Sequence, residues 1–160
     1  MLKFHTPQSI APTNGSYSHG VEVPPNSRLL YVAGQIPVRM DGSIPESIEE
    51  QTEIVWRNIL AILAEAGMSI TDVVKINSYL TRAENFARFA ATRAKFLSGH
   101  KPASTTAVVT ALAKPEFLIE VEAIAAKAAK AVKAKAAAKK KTTARTAGES
   151  SARKAKKRAR

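Results

Sequence analysis

Apolar residues recur along this chain with two different periods, and the switches between those periods mark out its elements. From Ile119 to Ala123 the order IEVEA alternates, Ile119, Val121 and Ala123 pointing one way and Glu120 and Glu122 the other. A strand with one buried face has this period of two. Its two acids are either solvated on a sheet edge or used. Ser104 to Leu112 alternates more weakly, and Ala113-Lys114-Pro115 supplies a break between the two runs, so Pro102 to Ala125 reads as a strand pair.

Earlier in the chain the period changes to that of a helix. Ile48, Thr52, Val55, Ile59, Leu63 and Ala66 recur at helical spacing. Ser47 and Glu50 form a Ser-x-x-Glu capping box before them, and Gly67 stands where a left-handed terminating residue belongs. Thr81 and Glu84 repeat the box. Behind them Phe86, Phe89, Ala90, Arg93 and Phe96 line one face of a second helix that Gly99 ends, a stripe that reads as core. Val73 to Leu80 lies between the helices as a strand with Val74, Ile76 and Leu80 on one face.

Before the first helix, Tyr17 to Val23 and Arg28 to Val38 read as two strands joined in a hairpin by Pro24-Pro25-Asn26-Ser27. Gly34 within the second predicts a bulge or a close backbone approach, and Pro37 an edge or an end. Met1 to Ser16 reads as an extended arm. The order β-β-α-β-α-β-β is that of an α+β domain with both helices on one face of a mixed sheet. The other face, assigned to the small residues of Ser104 to Leu112, would then be buried against copies of the chain in a closed homo-oligomer.

Charge divides the chain in two. Of its 160 residues, those from 1 to 125 hold 11 Lys and Arg against 12 Asp and Glu, a net of −1. Residues 126 to 160 hold 14 basic residues against Glu149 alone, a net of +13. This Ala, Lys and Arg tail has no large apolar residue past Val132 and is expected to be disordered, with transient helix in its Ala-rich part. Lys139, Lys140, Lys141, Arg145, Arg153, Lys154, Lys156, Lys157, Arg158 and Arg160 are its candidate nucleic-acid contacts, to DNA or RNA without choice of sequence. Phosphates neutralised in number give salt-dependent binding, and the absence of interleaved aromatics argues against base stacking.

The absence of cysteine excludes a disulfide scaffold and a thiolate metal site, and His5, His19 and His100 lack the close spacings of zinc ligands, so no metal is expected. No stretch reaches the roughly 18 apolar residues of a membrane span, and the start lacks the basic-then-apolar order of a secretory signal. A cytoplasmic protein without membrane contact is the expectation, with nucleoid association as a corollary of the tail.

Ala33-Gly34-Gln35-Ile36-Pro37, Ala64-Glu65-Ala66-Gly67, Asp72-Val73-Val74-Lys75, Lys101-Pro102-Ala103 and Ile119-Glu120-Val121-Glu122-Ala123-Ile124-Ala125 together resemble the RidA/YjgF family of reactive-intermediate deaminases, in the right order over about residues 10 to 125. The resemblance implies a chorismate mutase-like fold, three subunits packing their sheets into a central barrel, and clefts between subunits that bind small metabolites. The implied activity is cofactor-free hydrolysis of enamines and imines such as 2-aminoacrylate to the 2-keto acid and ammonia.

Carried over residue by residue, Tyr17 in Gly15-Ser16-Tyr17-Ser18 matches the family's site tyrosine, and Glu120 the glutamate that positions or activates water. Ala33, before Gly34, takes the place of a serine, Ser104 that of the arginine that clamps the substrate carboxylate, and Thr106 that of a cysteine. A serine supplies neither the charge nor the fork geometry of a guanidinium. The usual activity is therefore in doubt, and three readings stay open: a deaminase-type enzyme for a substrate uncharged at that position, a non-enzymatic small-ligand binder, and a nucleic-acid-associated protein working through its tail. Some relatives carry ribonuclease labels, but the sequence shows no His pair or metal cluster to cut RNA with.

Overall fold

The computed structural model describes residues 1 to 128 apart from Asn14 and Ser16. The tail positions from Lys139 to Arg160 named above lie outside the described residues. Eight elements follow in order: β1 (Lys3–His5), β2 (Gly20–Glu22), β3 (Ser27–Gln35), α1 (Ile48–Glu65), β4 (Val73–Leu80), α2 (Phe86–Leu97), β5 (Ala103–Val108) and β6 (Ile119–Ala128). The main sheet runs β3-β6-β4-β5. Its β6 is antiparallel to both neighbours, and β4 and β5 are parallel.

This order follows from the two helical crossovers. A strand, a helix and a second strand parallel to the first form a unit whose helix must lie on a face of the sheet. The chain contains that unit twice, β3-α1-β4 and β4-α2-β5, with β6 inserted between β3 and β4. Both helices cover one face, so the strands bury alternate residues: Ile76 and Leu80 of β4, and Ile119, Val121, Ala123 and Ala125 of β6. Val55, Trp56, Ile59 and Leu63 of α1 and Phe89 and Leu97 of α2 close over them. The rings of Trp56 and Phe96 stack between the helices at 6.3 Å.

α1 matches its predicted bounds for local reasons. The Ser47 hydroxyl accepts the Glu50 amide at 3.3 Å and donates to the Glu50 carboxylate at 3.1 Å. Gly67, at φ +65°, turns the chain in the left-handed region. The register slip between Val32 and Gln35 is the bulge expected at Gly34, and β3 stops short of Pro37.

Four expectations are corrected. The predicted hairpin does not form, because β2 pairs with β1, inside the expected arm, and β3 pairs with β6. Pro24 to Ser27 do form the expected turn, with Asn26 at φ +59° and the Ser27 hydroxyl donating to Pro24 O at 2.7 Å, but it leads the chain from one sheet into the other rather than back along the same one. The predicted pairing of the last two strands also fails: α2 delivers β5 parallel to β4 at the edge, and β6 takes the centre. The acid-bearing strand is thus internal, and its acids face the open side of the sheet.

The third correction concerns Thr81, which caps no helix. Its hydroxyl donates to Phe117 O at 3.3 Å, and a short 3-10 turn over Ala83–Asn85 precedes α2. The fourth concerns the uncovered face. Ser104, Thr106 and Val108 are in register with Ile76, Ser78 and Leu80, which puts them on the helix side at the sheet edge. The open face is built instead from Tyr31, Lys75, Asn77, Tyr79, Glu120, Glu122 and Ile124. β6 runs on past Ala125 to Ala128.

Candidate functional site

Two groups of candidate residues form on opposite faces of the main sheet. On the helix side, Tyr17, Ser104 and Thr106 line a cavity of about 420 Å³ between β5 and α2. Tyr17 reaches it because the segment just after it is tied to the edge strand: the Ser18 amide donates to Pro102 O at 3.1 Å, and Ser18 bridges Ala103. From α2 come Phe86, Ala90 and Arg93, and Gly15 completes the wall. Phe86, read from the sequence as core, is half exposed and forms the cavity's apolar side.

Arg93 is the residue that sequence reasoning missed. It is 92% buried, and its Nη1 donates to Ser104 Oγ at 3.1 Å. Its guanidinium lies 5.4 Å from the centroid of the Phe89 ring. Its buried Nε has no acceptor, and no carboxylate among the described residues forms an ion pair with it. Burial pulls its pKa below the ordinary arginine value, with no neighbouring charge to oppose that. A cation therefore stands beside Ser104 after all, delivered by the helix rather than the strand. The signal in the sequence was an arginine inside an otherwise apolar helical stripe.

On the open face, Glu120 and Gly34 touch. A side-chain carbon at position 34 would lie 2.9 Å from Glu120 Cδ, so glycine is what gives that carboxylate its room. Glu122 is held more tightly. Its Oε1 accepts from Asn77 Nδ2 at 2.6 Å and from the Tyr79 hydroxyl at 3.1 Å, and this carboxylate pushes the Tyr79 phenol above its ordinary pKa. Ala33, Tyr31, Lys75 and Ile124 line a groove of about 370 Å³ with Asn77 and Glu122. Lys75 Nζ donates to Thr105 Oγ1 at 2.6 Å at its edge.

The predicted residues thus divide: Tyr17, Ser104 and Thr106 come together, as do Glu120, Gly34 and Ala33, but the two sets do not meet within one chain. Register explains the division. Glu120 pairs with Tyr79 on the open face, whereas Ser104 and Thr106 pair with Ile76 and Ser78 on the covered one. Chemically, one face offers the Glu120 carboxylate, a group of the kind that can act as a base toward water. The other offers a small cavity with hydroxyls, an apolar wall and a guanidinium.

The family model described as Endoribonuclease L-PSP matches residues 7–127. A RutC family protein of Pyrococcus abyssi is 42% identical over 115 residues, 71% of this chain and 87% of that protein. TdcF of Escherichia coli strain K12, named a candidate reactive intermediate deaminase, is 30% identical over 119 residues, 72% of this chain and 89% of its own length. Among solved structures, the Rid-family protein YyfB of Yersinia pestis superposes with a TM-score of 0.71 at 32% identity, covering 78% of this chain and 97% of its own. The structure of Escherichia coli TdcF with bound serine superposes at 0.60 and 29% identity, covering 79% and 99%. By sequence and by fold, the chain belongs to the RidA/YjgF family.

Proposed function

We propose that this protein hydrolyses small reactive enamines and imines by adding water in clefts that two copies of the chain complete together. The carrying observation is the division of the site. Glu120 and Gly34 lie on the open face and the Tyr17 cavity on the covered one, so the Glu120 carboxylate would meet such a cavity from another subunit. A trimer packed through its open faces, as the family resemblance implies, would bring one subunit's Glu120 to the next subunit's cavity edge. TdcF, similar over most of this chain, holds serine, a small amino acid of the size the cavity admits.

In this reading an enamine first takes a proton on carbon and gives one up from nitrogen to become the imine. Glu120 then removes a proton from water as its oxygen attacks the imine carbon, and the nitrogen is protonated. The resulting carbinolamine loses ammonia, leaving the carbonyl. Water supplies the carbonyl oxygen and the hydrogens gained by nitrogen, so no redox partner is needed. Tyr17, Ser104 and Thr106 hold the substrate.

Replacing Glu120 by Gln removes the base while keeping the shape. Imine hydrolysis, read as keto-acid release from 2-aminoacrylate, should fall about 10²–10⁴-fold, and the assembly should persist at about three times the 17.2 kDa chain mass in sedimentation. Undiminished hydrolysis by Glu120→Gln, or a wild-type monomer at micromolar concentration, would sink the reading.

A further inference from the structure

We propose that Arg93 is an anion receptor presented by α2, and that the ligand it takes is a small carboxylate with a short apolar side chain, a 2-imino acid or the corresponding 2-oxo acid. The inference rests on the hydrolytic reading for the imine, but the anion site stands on its own geometry. Arg93 is more than nine-tenths buried and lines the cavity. One of its nitrogens is used by Ser104 and its Nε has no acceptor. A buried guanidinium keeps its charge at a cost unless something negative stands against it. No carboxylate of the described residues does so, which leaves the open cavity as the place from which an anion can come.

The rest of the lining defines what accompanies the charge. Phe86 and Ala90 give an apolar wall on the same helix, about two turns and one turn before Arg93, and Thr106 and Tyr17 add hydroxyls to the lining. A ligand with its carboxylate at Arg93 therefore lays a short alkyl group along Phe86 and leaves its neighbouring carbonyl or imine carbon toward the hydroxyls. The Ser104 hydroxyl orients the guanidinium, so a serine in the place of the family's arginine acts here as a positioning residue.

Calorimetric titration of the full chain with 2-oxobutanoate and with its methyl ester tests the site. The wild type should bind the acid at least tenfold more tightly than the ester, and Arg93→Met should weaken the acid about a hundredfold with little change in the ester. Because Arg93→Met replaces a buried charge that no carboxylate of the described residues opposes with an apolar chain of similar reach, its melting temperature should not fall. Adding Ser104→Arg to Arg93→Met, which supplies the guanidinium from β5, should restore acid binding.

Equal binding of acid and ester by the wild type, or full acid binding by Arg93→Met, overturns the proposal. So does loss of the oligomer or a lowered melting point in Arg93→Met, since Arg93 would then be paired with protein rather than ligand. Tight, Arg93-dependent acid binding without imine hydrolysis would sink the enzymatic reading and leave the anion site in place.

Discussion

Gly34 is required for its missing side chain, not for its backbone angles, since an added carbon would press on Cδ and Cγ of Glu120 at 2.9 and 3.2 Å. The obstructing group is the end of a flexible side chain that can swing aside, so Gly34→Ala should lose well under the roughly 1–3 kcal/mol that overpacking a rigid core costs. The carboxylate, however, must move. A displacement near 1 Å at a reacting group can cost about 10²-fold in rate, so hydrolysis should drop by that order while the thermal unfolding curve barely shifts. A parallel loss of rate and stability would mean that the glycine serves the fold alone. At this scale the sequence is half legible. A glycine inside an apolar strand announces a close approach, but not what approaches. Arg93 was legible only as an oddity in an apolar stripe, because its meaning depends on Ser104, which sits on a strand the helix has yet to deliver.

Elements were legible where their causes are local. The capping box at Ser47, the apolar period of α1 and the left-handed Gly67 lie within one stretch of chain, and the helix forms where they indicate. Strand partners are different, because pairing is decided between segments far apart, and β6 reaches the sheet centre only after both crossovers are made. Gln51 shows how that placement is secured. Buried in α1, it donates from Nε2 to Pro45 O and Glu116 O, both at 2.8 Å, and its Oε1 accepts the Leu118 amide at 2.8 Å. It therefore fixes the entry of β6, the strand that carries Glu120 and Glu122. Gln51→Leu keeps the bulk and strands three backbone groups. With about 1–3 kcal/mol for each of the three unsatisfied groups, the denaturant midpoint should fall by the equivalent of at least about 3 kcal/mol. A change below about 1 kcal/mol would show that water or a loop shift satisfies those groups instead.

For the whole molecule the dominant quantity is the separation of charge, a net of −1 over residues 1 to 125 against +13 over 126 to 160. We propose that the basic segment is a phosphate-binding arm working independently of the metabolite site. Counterion release makes such binding steep in salt, with a slope of about −0.9 per phosphate neutralised on duplex DNA, and blind to sequence. Three such arms on a trimer would add avidity. Because β6 continues to Ala128, the chain should be cut after Ala128, where the paired strand ends, rather than after Ala125, inside it. Full-length protein should then hold DNA and RNA at about 50 mM salt and release both well before about 200 mM. The truncated protein should lose that retention while keeping its oligomeric mass and its binding of 2-oxobutanoate. Retention by the truncated protein equal to that of the whole chain at low salt would defeat the proposal, because a body that ends at Ala128 includes Lys127, carries 12 basic against 12 acidic residues and has no comparable attraction for a polyanion.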